Sequence, residues 1–287
     1  MSINLVGTDF EGREFNGPDE LWRETTDEDG SHNTWYEKAV SYWDKQEASY
    51  NGVLGGYGYV SDADVRESKA VIIKAMRRKL EDAAKGKESL VALDCGAGVG
   101  RVTRELLLQL FQEVDLLEPS AHLLDSARTN LIDNRSRIKA PARNRAVHFF
   151  CEGLQEHDFS QHPGRYHCIW IQWCLLYLTD DDVMTLMKQS KVGLAEEGII
   201  FVKENICKEG FVVDNDDSSL TRSNEYMLKL FERANMQVLY NIKQRNFPKE
   251  LFEVRMYVLR HRQLGEQEKT EAGPTEEREE ATEMMQG

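Results

Sequence analysis

The glycine-rich turn within residues 90–101 constrains the fold of this chain more than any other feature. The segment reads Leu-Val-Ala-Leu-Asp-Cys-Gly-Ala-Gly-Val-Gly-Arg, an apolar run followed by closely spaced glycines. Glycine is needed where a backbone turns sharply and passes close to a ligand that a Cβ atom would displace. An amphipathic run begins at Val102, and a helix N-terminus offers free N–H groups to a carboxylate or phosphate. The sequence therefore predicts a strand, a ligand-binding turn and a helix, in this order.

Short apolar runs alternate with amphipathic runs along the rest of the chain. Strands are predicted at residues 90–95, 114–117, 147–151, 168–172, 199–203, 237–243 and 252–259. Helices are predicted at residues 35–47, 62–84, 102–111, 121–132, 181–194 and 222–234. This alternation predicts an α/β, doubly wound, mostly parallel seven-stranded sheet with added N-terminal helices. The last two strands follow each other without a long helix, so we expect one of them to enter antiparallel.

Composition divides the chain into three zones. Residues 1–33 are polar and acidic without sustained periodicity, so we expect a flexible arm. Residues 34–262 carry the alternating pattern and are expected to form one domain. Residues 263–287 are rich in glutamate and poor in aliphatic residues, which is typical of a disordered tail.

Charge and spacing exclude several classes of function. A formal net charge of −14 argues against nucleic acid as the main partner, because that binding needs concentrated Lys and Arg. No apolar run approaches the roughly 18–20 residues of a membrane span, so we expect a soluble protein of the cytoplasm or nucleus. We also expect it to be a monomer. The five cysteines and seven histidines show no metal-ligand spacing, so no metal site is expected.

The spacing of the glycines distinguishes two cofactors. Dinucleotide enzymes prefer G-x-G-x-x-G, whereas this chain has G-x-G-x-G behind Asp94, the pattern of S-adenosylmethionine enzymes. Glu118, at the end of the second predicted strand, is placed to accept both hydroxyls of a ribose, and Arg101 is placed to meet the methionine carboxylate. The sequence therefore predicts S-adenosylmethionine as cofactor in a Rossmann-like class I methyltransferase fold.

Aromatic and polar side chains follow the fourth and fifth predicted strands. Gln172, Trp173 and Tyr177 leave the fourth strand, whose carboxyl end faces the ligand site in such sheets. An acidic run with Asp217 follows the fifth strand. Aromatic faces attract ammonium groups by about 0.5–2 kcal/mol, and capture of an N-terminal amine is a recurring mode of recognition. These residues suit a cationic substrate, although core packing of Trp43 and Trp170 or an ordinary acidic turn also fits the pattern.

The chain resembles the eukaryotic α-N-terminal protein methyltransferases, which modify proteins that begin Xaa-Pro-Lys or Xaa-Pro-Arg after removal of methionine. The resemblance covers about residues 35–260, and its most specific pieces lie at residues 54–58, 93–98, 170–173 and 214–219. They read Leu-Gly-Gly-Tyr-Gly, Leu-Asp-Cys-Gly-Ala-Gly, Trp-Ile-Gln-Trp and Asp-Asn-Asp-Asp-Ser-Ser. It implies methyl transfer from S-adenosylmethionine to the N-terminal α-amine of such proteins.

The resemblance also implies roles for individual residues. The cofactor contacts it implies are Gly96, Gly98, Arg101, Glu118 (an aspartate in the family), Gly153, Leu154, Gln155 and Gln172. The substrate contacts that it implies are of two kinds. The wall of the peptide channel would consist of Trp43, Leu54, Val60, Leu251 and Phe252, and the Lys or Arg side chain at position three would lie near Asp214 and Ser219. Trp173 would stack on the substrate proline, Asn205 would hold the backbone, and Asp217 would sit at the α-amine.

Tyr177 departs from the family, whose members carry a histidine here that is thought to orient or deprotonate the amine. An α-amine with a pKa of about 8 is mostly protonated at neutral pH, so a group must accept its proton. A phenol with a pKa of about 10 is a poor base. We therefore expect Asp217 to accept the proton and Tyr177 to orient the amine.

Two other functions remain open at this point. One is a methyltransferase for a lysine side chain or a small-molecule amine, which activity on Xaa-Pro-Lys peptides would argue against. The other is an inactive cofactor-binding or interaction module, which the intact glycine turn and the presence of Asp217 disfavour.

Overall fold

The computed structural model describes residues 5–263. Its strands are β1 (Gly7–Asp9), β2 (Glu14–Phe15), β3 (Val91–Cys95), β4 (Glu113–Leu117), β5 (Arg145–Phe150), β6 (Tyr166–Gln172), β7 (Leu194–Ile206), β8 (Phe211–Asp214), β9 (Ser219–Arg222), β10 (Met236–Lys243) and β11 (Glu253–His261). Its α-helices are α1 (Pro18–Glu24), α2 (Asn33–Trp43), α3 (Tyr50–Val53), α4 (Ser61–Ala75), α5 (Arg77–Ala84), α6 (Leu108–Leu110), α7 (Ala121–Arg128), α8 (Asp180–Gly193) and α9 (Asn224–Arg233).

The central sheet has seven strands in the order β10-β11-β7-β6-β3-β4-β5. Strands β7, β6, β3, β4 and β5 run parallel, and β11 pairs antiparallel with both β7 and β10. The predicted fold class and the antiparallel entry of a late strand are therefore confirmed. Because the parallel strands run in one direction, their carboxyl ends meet at a single edge, where ligands bind in open α/β sheets.

Each face of the sheet packs against its own apolar cluster. Ile169 and Ile171 belong to one cluster and Trp170 to the other, because successive side chains of a strand point to opposite faces. Trp170 is fully buried and its ring stacks on Phe201 at 3.8 Å between centroids. Trp170 is thus a core residue, whereas Trp173, the next tryptophan along the chain, lines a cavity.

Three predicted helices differ from the observed ones, and one of them, at residues 121–132, is α7 followed by a π-helical turn at Thr129–Asp133. The helix predicted at residues 62–84 is two helices, α4 and α5, because the chain leaves helical geometry at Met76 (φ −111°, ψ 20°). The segment predicted as helix at residues 102–111 begins with a π-helical turn at Thr103–Leu107 and closes with α6. Hydrophobic periodicity does not distinguish α from π turns of this length.

A second, four-stranded sheet has the order β2-β1-β8-β9, and it corrects the expectation of a loose arm at residues 1–33. Strand β1 pairs in parallel with β8, far along the chain, and Phe15 and Leu21 are buried in the core. Strands this short, paired with a distant partner, leave no periodicity in the sequence. Apart from residue 263, the predicted tail at 263–287 lies outside the described residues.

Within residues 5–263 no helix has the length and apolar character that a membrane span requires. The same range contains no group of three or more His, Cys, Asp or Glu side chains arranged to hold a metal ion.

Candidate active site

The glycine turn is fastened to the neighbouring strand by backbone hydrogen bonds. The N–H groups of Gly96 and Ala97 donate to the Leu117 carbonyl at 2.8 and 3.1 Å. Gly96 has φ of +64°, and a Cβ atom there would lie 2.6 Å from the Cβ of Cys174. The turn is therefore a position that only glycine fits without displacement of its neighbour.

Asp94 links the turn to the helix that follows it. Its carboxylate accepts a hydrogen bond of 2.6 Å from the Thr103 hydroxyl, which fixes the first π-helical turn against the end of β3. Burial raises the pKa of Asp94 to about 6. The Asp94 side chain therefore connects the end of β3 to the helix that follows it.

Glu118 stands at the carboxyl end of β4 and faces a cavity of about 580 Å³. One carboxylate oxygen accepts from the Gly98 N–H at 2.8 Å and the other from the Ser120 N–H at 3.0 Å. Burial raises the pKa of Glu118 to about 7. Each oxygen keeps a second lone pair, so the carboxylate can still accept the hydroxyl groups of a ribose.

The walls of this first cavity include the predicted cofactor residues Gly96, Gly153, Leu154 and Gln155. Helix α2 forms the opposite side of the cavity, where its last residue, Trp43, is among the lining residues. The volume, the glycine cradle and the acceptor for ribose hydroxyls together fit S-adenosylmethionine.

A second, smaller cavity of about 120 Å³ adjoins the first and contains Gly98, Arg101 and Gln172. Arg101 donates to Asp64 at 2.7 Å, and Gln172 donates to both oxygens of the same carboxylate at 2.9 and 3.1 Å. Lys203 pairs with Asp64 at 2.5 Å from the other side. Burial opposes ionisation of Asp64, but the two cations hold its pKa below the usual value.

Asp64 was missed at the sequence level although it organises this corner of the site. It lies on α4 with Ser68, Val71 and Ile72, all of them buried. The spacing i, i+4, i+7 and i+8 places these residues on one helix face. An aspartate on the otherwise buried face of a predicted helix is therefore the feature of the sequence that could have indicated a buried ion pair.

A third cavity, of about 270 Å³, lies on the other side of Trp43 and Tyr177. It contains all the residues predicted to bind substrate, namely Trp43, Leu54, Val60, Trp173, Asp214, Ser219, Leu251 and Phe252. Asn205 and Asp217 line it as well. The structure thus brings together six segments that are separated in the sequence.

Trp173 adopts a strained backbone conformation at the end of β6. Its φ is +53°, which is an outlier for a bulky residue and is held only where the surroundings enforce it. Its N–H donates to the Lys203 carbonyl at 2.9 Å. The indole Nε1 is buried and has no hydrogen-bond partner among the described residues. The strain directs this side chain into the third cavity instead of continuing the strand.

Tyr177 connects Trp43 to Asp217. The Trp43 indole donates to the Tyr177 hydroxyl at 2.9 Å, and that hydroxyl donates to Asp217 Oδ2 at 3.0 Å. Trp43 and Tyr177 line all three cavities. The pair therefore stands where the cofactor side of the site meets the third cavity.

Asp217 presents one oxygen that the protein leaves unpaired. Its Oδ1 is buried and has no partner within residues 5–263. Burial, together with the nearby Asp214 carboxylate, raises the pKa of Asp217. Burial and the Asp217 charge raise the pKa of the Tyr177 phenol well above its ordinary value. Asp217 is consequently the better proton acceptor of the two.

Glu204 is a second residue that sequence reasoning did not find. It is buried beside Asn205, and its Oε1 accepts from the Cys174 and Leu175 N–H groups at 2.9 and 2.7 Å. Burial raises its pKa to about 8. It fastens the short segment that carries Trp173 at one end and Tyr177 at the other.

The fold, the glycine turn and the three adjoining cavities define an S-adenosylmethionine-dependent methyltransferase. In agreement, a SAM-dependent methyltransferase from Leishmania major superposes with a TM-score of 0.75 at 33% identity, covering 91% of this chain and 98% of its own.

The family model described as AdoMet dependent proline di-methyltransferase matches residues 31–260, and the chain belongs to this family. Alpha N-terminal protein methyltransferase 1 of Arabidopsis thaliana is 44% identical over 259 residues, 90% of this chain and 91% of its own. N-terminal Xaa-Pro-Lys N-methyltransferase 1-B of Xenopus laevis is 38% identical over 226 residues, 79% of this chain and 95% of its own. The predicted family and cofactor are thus confirmed.

Proposed function

We propose that this enzyme transfers methyl groups from S-adenosylmethionine to the N-terminal α-amine of proteins that begin Xaa-Pro-Lys or Xaa-Pro-Arg after removal of methionine. The observation that carries the proposal is the Trp43–Tyr177–Asp217 chain of hydrogen bonds at the junction of the cofactor and third cavities. The names of the Arabidopsis and Xenopus relatives agree with it.

The cofactor side positions the methyl donor. Glu118 accepts hydroxyl groups, and the glycine turn leaves room for the backbone to approach. Arg101 lies in the second cavity, where a carboxylate would meet its guanidinium beside Asp64. When bound there, S-adenosylmethionine supplies an electrophilic methyl group.

The third cavity selects the substrate. The indole face of Trp173 suits the ring of a proline at position two, which aromatic contact would hold in place. Asp214 and Ser219 offer oxygen atoms to a Lys or Arg at position three. The side-chain amide of Asn205 is placed to hold the backbone between them.

Asp217 and Tyr177 bind the amine, and Asp217 accepts its proton. The free Oδ1 of Asp217 accepts a proton from the substrate ammonium, which leaves the α-amine nitrogen with the free lone pair that methylation requires. Tyr177 keeps Asp217 in place through its hydroxyl and packs edge-on against Trp43, with ring centroids 6.4 Å apart. Tyr177 stands where the family has a histidine, and here it acts by positioning Asp217 and the amine.

Mass spectrometry of peptides incubated with enzyme and S-adenosylmethionine tests the proposal. An Ala-Pro-Lys peptide should gain methyl groups at its N-terminus, while the N-acetylated peptide and an Ala-Ala-Lys peptide should not. Equal methylation of the Ala-Ala-Lys peptide would contradict the assigned specificity. Methylation of the acetylated peptide at lysine would instead show a lysine methyltransferase.

A further inference from the structure

The turn between β1 and β2 holds an aromatic ring in solvent. Phe10 is 61% exposed, although its backbone N–H donates to the Val213 carbonyl at 3.2 Å. Asn215 donates to Asp9 at 3.1 Å and to Glu11 at 3.0 Å, the residues on either side of Phe10. The ring is therefore uncovered while the backbone that carries it is fastened to the β8–β9 hairpin.

Phe10 stands beside the acidic residue at the end of β8. Asp9 pairs in register with Val213, so Phe10 follows next to Asp214. The Phe10 ring lies 6.4 Å from the ring of Phe252, and both line the third cavity. An aromatic pair thus flanks the carboxylate proposed to bind the third residue of the substrate.

The third cavity has a partly buried end and an exposed end. Tyr177 and Asp217 are partly buried at the end next to the cofactor side, which we call the inner end, and Phe10 is exposed at the opposite end, the mouth. With the amine at Asp217 and the third residue at Asp214, the substrate leaves past Phe10. An extended chain advances about 3.3–3.6 Å per residue and neighbouring strands lie about 4.7–4.9 Å apart. One residue of extended chain covers most of this spacing, so the side chain of the fourth substrate residue comes within reach of the aromatic pair.

We propose that Phe10 and Phe252 form an apolar subsite for the fourth residue of the substrate and that the enzyme favours an apolar side chain there. This inference rests on the proposed function and adds a determinant of specificity to it. The family model begins at residue 31, so Phe10 lies outside the part of the chain that the family model covers.

Two peptides of equal length test the subsite, Ala-Pro-Lys-Leu-Gly-Gly and Ala-Pro-Lys-Gly-Gly-Gly. The quantity measured is the ratio of their kcat/KM values for wild type, Phe10→Ala and Val6→Ala. Val6 is the matched control because it is 70% exposed in the same segment and is not among the residues that line the third cavity. Thermal unfolding of each variant confirms that the segment remains folded.

Wild type and Val6→Ala should prefer the leucine peptide by about fivefold, the effect of partly burying one leucine side chain. Phe10→Ala should reduce the preference below about twofold at an unchanged melting temperature, because an exposed ring adds little to stability. Equal rates on both peptides with wild type, or an undiminished preference in Phe10→Ala, would overturn the subsite and leave the proposed function intact. If neither peptide is methylated, the proposed function itself fails and the subsite falls with it.

Discussion

The cofactor side and the substrate side of this site are built in different ways. The cofactor side is built around neighbouring pieces of the chain, since the glycine turn joins β3 to the following helix and Glu118 directly follows the next strand of the sheet. The substrate side is assembled from distant pieces: α2, the loop after α3, the β8–β9 hairpin and residues 247–254. One motif that is continuous in sequence therefore marks the first side, whereas the second consists of several separate segments that the fold brings together.

The largest expected effect is loss of cofactor binding in Gly96→Ala. The new Cβ would lie 2.6 Å from Cys174 at φ of +64°, so the turn must move out of its binding position. Gly86→Ala is the matched control, since Gly86 has φ of +73° and a Cβ added there would meet no neighbouring atom within 4 Å. Calorimetry with S-adenosylmethionine should show binding at least about 100-fold weaker in the first variant. Unchanged affinity in Gly96→Ala would show that the turn is not part of the cofactor site.

The next effect concerns the junction between the two sides. Asp217→Asn should reduce kcat by about 100-fold or more, and Tyr177→Phe by about 10-fold or less, the range usual for acid–base groups. The difference follows from the free Oδ1 of Asp217 and the orienting role of Tyr177. Steady-state kinetics on an Ala-Pro-Lys peptide measures both. Equal losses would assign the tyrosine a role in proton transfer.

The pH dependence of kcat distinguishes the roles of Asp217 and Tyr177. Asp217 must be ionised to accept a proton, so kcat falls as the pH drops through its pKa. The hydrogen bond from Tyr177 lowers that pKa, against the opposing effect of burial. Tyr177→Phe removes the bond and should therefore move the acidic limb of the kcat profile to higher pH. A limb that stays in place, with kcat reduced at every pH, would mean that Tyr177 does not act through Asp217.

How much the sequence could predict follows the same division. The turn at residues 90–101 and the acid at Glu118 could be predicted because each is local to one strand end. Trp173 could be placed near the site from the end of its strand, but its contact with the substrate proline and the role of Asp217 were predicted only through resemblance. Asp64 and Glu204 were missed because an acid that is buried by packing resembles a surface acid in sequence. The packed N-terminal segment was missed because β1 pairs with a strand about 200 residues away.

A smaller effect is expected when the N-terminal segment is removed. Deletion of residues 1–24 takes away β1, β2 and α1, and with them the buried side chains of Phe15 and Leu21. This exposes the edge of β8, so kcat/KM for an Ala-Pro-Lys peptide should fall by about 10-fold, on the scale of about 1.4 kcal/mol. Cofactor affinity should change less, because the cofactor turn belongs to the other sheet.

Deletion of residues 264–287 is the control, since it removes the same number of residues from the other end. We expect it to leave both parameters near the values of the full chain. If deletion of residues 1–24 left peptide turnover unchanged, the second sheet would not be needed to shape the substrate side.

A crystal structure of the enzyme with S-adenosylhomocysteine and an Ala-Pro-Lys peptide tests the proposed binding mode. It should show the α-amine nitrogen within hydrogen-bond distance of Asp217 Oδ1, the proline ring against Trp173 and the lysine ammonium beside Asp214. A peptide that entered from the other side of Trp43, or that left its α-amine in solvent away from Asp217, would contradict this binding mode.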